Sequence, residues 1–332
     1  MIVPSAHTLA PLWPWLSFLG LLLAALAFDL LVLNRKPRDP KLSTAILHTI
    51  GWILLGVAVG AAIWLGWHQI RPGSPLAPQE AGMTWFAAWI VEYSLSVDNL
   101  FIFLLIFQFF KVPHAWQHRV LFWGILGALI LRGLVIGAGA ALVAHFGWIL
   151  YLFGAFLVYT GLKMFKSEDE AHVDPGNHIV VRLLRRLLPI TDEFHDDRFL
   201  VRHHGKRMFT PLFVVLMFLN AIDIVFAVDS IPAVFALTTD TFLAFTSNMM
   251  AVMGLRALYF VLAGSMQAFR YLQAGLAIIL TFVGVKMLLP LLAHVAPGHE
   301  WHIPIGISLG FIAGVLAVCI SASLLIPVKK AP

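Results

Sequence analysis

The apolar positions of this chain fall in long unbroken runs, where a water-soluble fold would show alternating or one-faced patterns. Nine stretches, near residues 13–33, 45–67, 83–110, 118–143, 147–165, 209–236, 242–265, 271–292 and 303–327, are each apolar over about the 20 residues that cross a bilayer. The pattern predicts an all-α, polytopic transmembrane helical bundle of about nine spans, because inside lipid a helix satisfies its own backbone. The expected organisation is two N-terminal spans over 1–82, a three-span unit over 83–165, a soluble-looking connection over 166–208, a second three-span unit over 209–292, and a last span with its tail over 293–332. Within the connection, Ile179 to Leu188 reads as a short basic amphipathic helix against the membrane surface. The acids and histidines that follow read as a solvated loop.

Composition agrees with the bilayer as solvent. Hydrophobic residues make up 60% of the 332 and charged ones 12%, against about a quarter charged in a soluble domain. This excludes a soluble enzyme and a disordered or fibrous chain. A single cysteine, Cys319, excludes an intrachain disulfide and a Cys-based zinc or iron–sulfur site. The first 12 residues carry no Lys or Arg, so no secretory signal is expected.

Charge then orients the spans. Arg35, Lys36, Arg38 and Lys41, Lys111 and Arg119, the nine basic residues from Lys163 to Arg207, Arg270, and the pair Lys329 and Lys330 all fall on one side, and only Arg71 on the other. The positive-inside tendency puts the N-terminus outside and the C-terminus in the cytoplasm, in an inner membrane. The net charge of +5 therefore reports topology, and no nucleic-acid partner is implied. Trp13, Trp15, Trp64, Trp67, Trp85, Trp301 and Tyr271 fall at span ends, as interfacial anchors do.

The two three-span units share ordered landmarks. Glu92 and Asp98 answer Asp223 and Asp229 at one offset, each pair separated by five residues. Leu131 and Arg132 answer Leu255 and Arg256, and Gly161 to Met164 answers Gly284 to Met287. A three-span unit followed directly by another sits upside down, and inverted repeats of this kind place a binding site near the midplane of secondary transporters.

An Asp or Lys at the bilayer centre costs roughly 2.5–3.5 kcal/mol on insertion scales, so Glu92, Asp98, Asp223 and Asp229 need a reason to be there. Asp29, five residues before Asn34, is expected to reach the interface. Arg132 and Arg256 are the candidate charge partners, with Lys286 near the outer end of its helix. Negative charge is then left unmatched, and such a site takes a proton or binds a cation. At about 100° per residue, Glu92, Ser96 and Asn99 share a stripe while Asp98 points about 120° away, and Asp229 diverges likewise from Asp223. Pro232 predicts a kink that would turn Asp229 toward the same cavity. The donors are oxygens, with Asn99, Asn220 and Asn248 among them, which suits hard divalent ions such as Mn²⁺, Mg²⁺ or Ca²⁺. Met249, Met250 and Met253 read as core packing. No P-loop, dinucleotide turn or Ser/His/Asp arrangement appears, so neither an enzyme nor an organic cofactor is expected.

These segments resemble the TerC/Alx family of integral membrane proteins. The likeness is carried by Phe28 to Leu30 with Asn34 to Pro37, Ser94 to Asn99, Gln117 to Gly124, Phe226 to Pro232, Thr246 to Asn248 and Gly254 to Phe260. One departure is Asn220, where the family commonly has Glu. The resemblance implies kinship with the LysE-type exporter superfamily, a link to tellurium resistance and metal homeostasis, and Mn²⁺ as the exported substrate. It points to Glu92, Asp98, Asn99, Asp223, Asp229 and Ser230 as the metal-contacting set. The expected partners are the lipid bilayer and a divalent cation, with a homo-oligomer left open. The competing expectation is a non-transporting membrane scaffold or stress-complex component, whose acids only pair with basic residues.

Overall fold

The computed structural model describes residues 11–29, 42–166, 179–191, 193–203, 206–264, 271–295 and 303–325. Apolar runs become helices throughout: α1 (Trp13–Phe28), α2 (Leu42–Ile70), α3 (Pro78–Phe109), α4 (His114–His145), α5 (Ile149–Lys166), α6 (Ile179–Leu187), α7 (Pro211–Phe235), α8 (Thr241–Met253), α9 (Leu255–Gly264), α10 (Leu272–Val295) and α11 (Ile305–Leu325). Punctuation residues set the ends. Pro78 and Pro211 occupy first-turn positions, where the missing N–H costs nothing. Asp240 caps α8 by accepting from the backbone N–H groups of Phe242 and Leu243.

Among the described residues, α2, α3, α4, α7, α10 and α11 are long and apolar enough to cross a membrane, and α8 with α9 makes a seventh candidate bent by 43°. The apolar helices α1 and α5 are shorter, and part of the predicted 13–33 span lies outside the described residues. Helix α7 is not broken at Pro232. It runs through Pro232 near its end, at the loss of the one intrahelical bond that the missing N–H would have made. Between α8 and α9 the chain bends at Gly254, where Trp52 and Tyr93 press against the missing side chain.

Helix α3 is the hub. It is buried on several faces and packs against α2, α7, α8, α9, α10 and α11. Helix α3 packs on α8 as α4 packs on α7, α3 also meets α7, and α5 lies along α10 in the most extensive pairing. Small residues permit these approaches. A Cβ on Gly284 would stand 2.7 Å from the Gly154 carbonyl oxygen, so α5 and α10 touch backbone to backbone. Gly60 and Gly82 leave notches for Trp85 and Trp64. That corrects one expectation: Trp67 and Trp85 are fully buried and belong to the core, with Trp85 donating to Thr246 Oγ1 at 3.0 Å. Met249, Met250 and Met253 are buried in the core as predicted. Leu65, Leu134, Val225 and Leu324 face outward, as lipid-facing side chains do.

The connection after α5 contains more than a loop and a helix. Strands β1 (Leu200–His203) and β2 (Lys206–Phe209) form an antiparallel hairpin with Leu200 opposite Phe209. The hairpin segment docks on the start of α4, where Arg119 donates to Asp197 at 2.6 Å and lies over the Phe199 ring.

Candidate functional site

Glu92, Arg132 and Asp223 sit on α3, α4 and α7, and α7 packs against both of the others. Each helix carries its charged residue into a largely apolar interface, where the three side chains pair with one another. Arg132 donates through Nε to Asp223 Oδ2 at 3.2 Å and through Nη2 to Asp223 Oδ1 at 3.0 Å. Its Nη1 donates to Glu92 Oε1. All three side chains are buried, Arg132 and Glu92 completely. Their neighbours Ile224, Val225 and Val228 on α7 point the other way and are exposed. The cluster has two carboxylates for one guanidinium, and Glu92 Oε2 makes no hydrogen bond to a protein group.

Further buried polar atoms on these helices and on α8 are also without protein partners: Ser96 Oγ one turn along from Glu92, Asn220 Oδ1 one turn before Asp223, Ser230 Oγ, and Asn248 Oδ1 and Nδ2. Leaving a buried polar group unmatched costs about 1–3 kcal/mol. Asn220 anchors its Nδ2 on the Leu216 carbonyl oxygen and fits against Gly127, where any side chain would collide with it. The donor set is oxygen-rich and suits a hard cation.

The predicted residues are not all gathered here. Asp98 and Asp229 are half-buried, and Asp229 lies within electrostatic reach of Lys163 on α5. Among the described residues, no group of three or more His, Cys, Asp and Glu side chains is close enough to hold a metal ion. Asn99 is buried near the Glu92 stripe. Arg256 does not serve the four central acids. It donates to Asp29 Oδ2 at 2.6 Å, and its Nη2 lies 2.8 Å from His118 Nδ1, tying α9 to the end of α1 and the start of α4. Asp29 is therefore buried in an ion pair with Arg256. Sequence reasoning placed Lys163 among the interfacial bases. In the structure Lys163 is exposed near the end of α5, from where its charge reaches Asp229.

A separate cavity of about 440 Å³ opens at the other end of the bundle, lined by Arg71, Glu80, Thr84, Thr238, Asp240 and Lys286 among others. Arg71 donates to Asp240 Oδ2 from Nε at 3.2 Å and from Nη2 at 3.0 Å, and Lys286 donates to Ser308 at 2.8 Å. Thr84 lies about two helical turns from Glu92 along α3.

The comparisons with known proteins agree with one another. A family profile described as "Integral membrane protein TerC family" matches residues 77–331. An "Uncharacterized membrane protein STKORF319" from Myxococcus xanthus is 41% identical over 311 residues, covering 94% of this chain and 92% of its own. The "Putative membrane-bound redox modulator Alx" of Escherichia coli K12 is 40% identical over 306 residues, covering 92% of each. An "Uncharacterized membrane protein" of Rickettsia felis is 36% identical over 273 residues, covering 82% of this chain and 87% of its own. No solved structure matches the chain.

Proposed function

This chain belongs to the TerC family of integral membrane proteins, and from that premise we propose that it exports a divalent cation, manganese foremost, across the cytoplasmic membrane by alternating access. The observation that carries this reading is the buried Glu92–Arg132–Asp223 cluster. It holds one more carboxylate than guanidinium, with orphaned oxygens beside it, where lipid makes unmatched charge costly.

Arg132 acts in this scheme as a tethered counter-ion. It occupies both acids until a dehydrated cation arrives, and the cation then takes Glu92 and Asp223 with the nearby amide and hydroxyl oxygens. Asp98, Asn99, Asp229 and Ser230 lie along the same two helices and line the route on either side. Protonation of the carboxylates favours release and couples transport to the proton gradient. Glu92 and Arg132 belong to the first three-span unit and Asp223 to the second, so a rocking of one unit against the other makes and breaks the Asp223 contacts. The reciprocal pairings, α3 on α8 with α4 on α7 and α5 along α10, support reading the two units as an inverted repeat. Nine spans, with the N-terminus outside and the C-terminus cytoplasmic, complete the scheme. In support, Arg71–Asp240 joins two connections assigned outside, and Arg119–Asp197 joins two assigned inside.

The scaffold reading has one observation in its favour: Arg132 already engages both acids, as a purely structural ion pair does. Flux measurement separates the two. Purified protein in liposomes containing a Mn²⁺-sensitive dye is expected to admit Mn²⁺. Glu92→Gln, Asp223→Asn, Asp98→Asn and Asp229→Asn variants that keep their gel-filtration profile are expected to lose that flux. Wild-type protein that moves no Mn²⁺, or wild-type rates in the Glu92 and Asp223 variants, removes the acids from transport and leaves the scaffold.

A further inference from the structure

Helix α6 presents a face that the cation reading does not use. Val181 is buried, and Val180 and Leu184 pack against the core, so one side of the helix is committed to the protein. Ile179, Leu183 and Leu187 are 73%, 53% and 68% exposed. Spaced by four, they fall within about 80° of one another at about 100° per residue. Arg182 and Arg186 are exposed and project on the far side of that stripe from the buried face, about 20–60° beyond Ile179. Going round the helix, the order is protein contact, apolar stripe, basic edge. A helix lying in water gains nothing from such a stripe, which leaves three large aliphatic side chains exposed.

We propose that α6 is an interfacial anchor that seats Ile179, Leu183 and Leu187 in the acyl boundary of the adjoining leaflet and sets Arg182 and Arg186 against anionic lipid headgroups. The order around the helix fits the corner between a bundle wall and a bilayer surface. The packed face meets α7, and further along that helix Ile224, Val225 and Val228 are exposed, as lipid-facing residues are. The apolar stripe adjoins that wall at acyl depth, and the basic edge lies where phosphates are. From 179 to 191 the segment contains Arg182, Arg185 and Arg186 and no acid, which complements an anionic leaflet. Basic amphipathic helices bind interfaces by this combination of apolar burial and charge. The anchor rests on membrane embedding alone, so it stands or falls independently of manganese export.

The test uses the full chain in liposomes, with Cys319→Ser removing the native thiol. Leu183→Cys carries an environment-sensitive fluorophore, and Leu187→Cys replaces it if the first variant fails to fold. Vesicles are phosphatidylcholine alone or mixed with phosphatidylglycerol, with bromine on the acyl chains of one series. Blue-shifted, bromine-quenched emission is expected, together with an unfolding temperature that rises as phosphatidylglycerol is titrated in. Arg182→Gln with Arg186→Gln is expected to keep the quenching and weaken the phosphatidylglycerol response by about fivefold per arginine. An unquenched, water-like probe would mean that the face is open or covered by protein, and it overturns the proposal. So does a wild-type protein indifferent to phosphatidylglycerol, or a response unchanged in the Gln variant.

Discussion

Replacing Arg132 with Met tests the central cluster most severely. The substitution keeps a long apolar stem and removes every donor that Asp223 and Glu92 use: two bonds of 3.2 and 3.0 Å to Asp223 and one to Glu92. Both acids stay buried, Glu92 completely and Asp223 at 3% exposure, with no counter-charge. Removing one partner of a buried pair costs about 3–5 kcal/mol, and the upper end applies here because one guanidinium serves two carboxylates. The same geometry ranks the neighbours. Asp223→Asn loses the bidentate pairing, and a hydrogen bond to a charged group is worth about 1.5–3 kcal/mol. Glu92→Gln keeps that pairing and removes the excess charge, so it is expected to cost about 1 kcal/mol. Denaturant unfolding in detergent, with and without Mn²⁺ against a salt control of equal ionic strength, measures all three. The expected order of loss is Arg132→Met, then Asp223→Asn, then Glu92→Gln. In Arg132→Met the competing cation is gone, so Mn²⁺ at a hundredfold excess over its Kd is expected to restore about 2.7 kcal/mol. An Arg132→Met protein within 1 kcal/mol of wild type, or one less damaged than Glu92→Gln, refutes the charge argument. A full loss with no recovery in Mn²⁺ leaves the cluster structural.

Two further outcomes follow from packing and pairing. Gly284→Leu would drive a side chain into the Gly154 carbonyl oxygen and the Val158 amide, 2.7 and 2.8 Å from the new Cβ. Because backbone cannot swing aside, a loss of about 1–3 kcal/mol or more is expected in the same unfolding assay. Gly310→Ala, with nothing within 4 Å, should change stability by under about 0.5 kcal/mol, and equal losses at both sites would contradict the close crossing. For Asp29 and Arg256, paired at 2.6 Å, a double-mutant cycle of Asp29→Asn and Arg256→Gln should give a coupling of about 1–3 kcal/mol; strict additivity would show that the pair is not formed.

The apolar runs alone announced a membrane bundle and located its helices, because lipid leaves a spanning chain almost no other way to satisfy its backbone. They also singled out Glu92, Arg132 and Asp223 as costly residues in need of partners. What the runs did not contain was who meets whom. Helix α3 is apolar nearly all round, so its periodicity does not say which side faces a neighbour and which faces lipid. Arg132 and Arg256 look alike along the chain, yet one lies between Glu92 and Asp223 while the other reaches Asp29 and His118. Asp229 likewise has Lys163 of α5 within electrostatic reach, and a 43° bend separates α8 from α9. Hydrophobicity decides that a segment crosses the bilayer. The rotation, depth and tilt that bring charges together come from glycine-permitted contacts between helices far apart in sequence, and only the folded bundle specifies them.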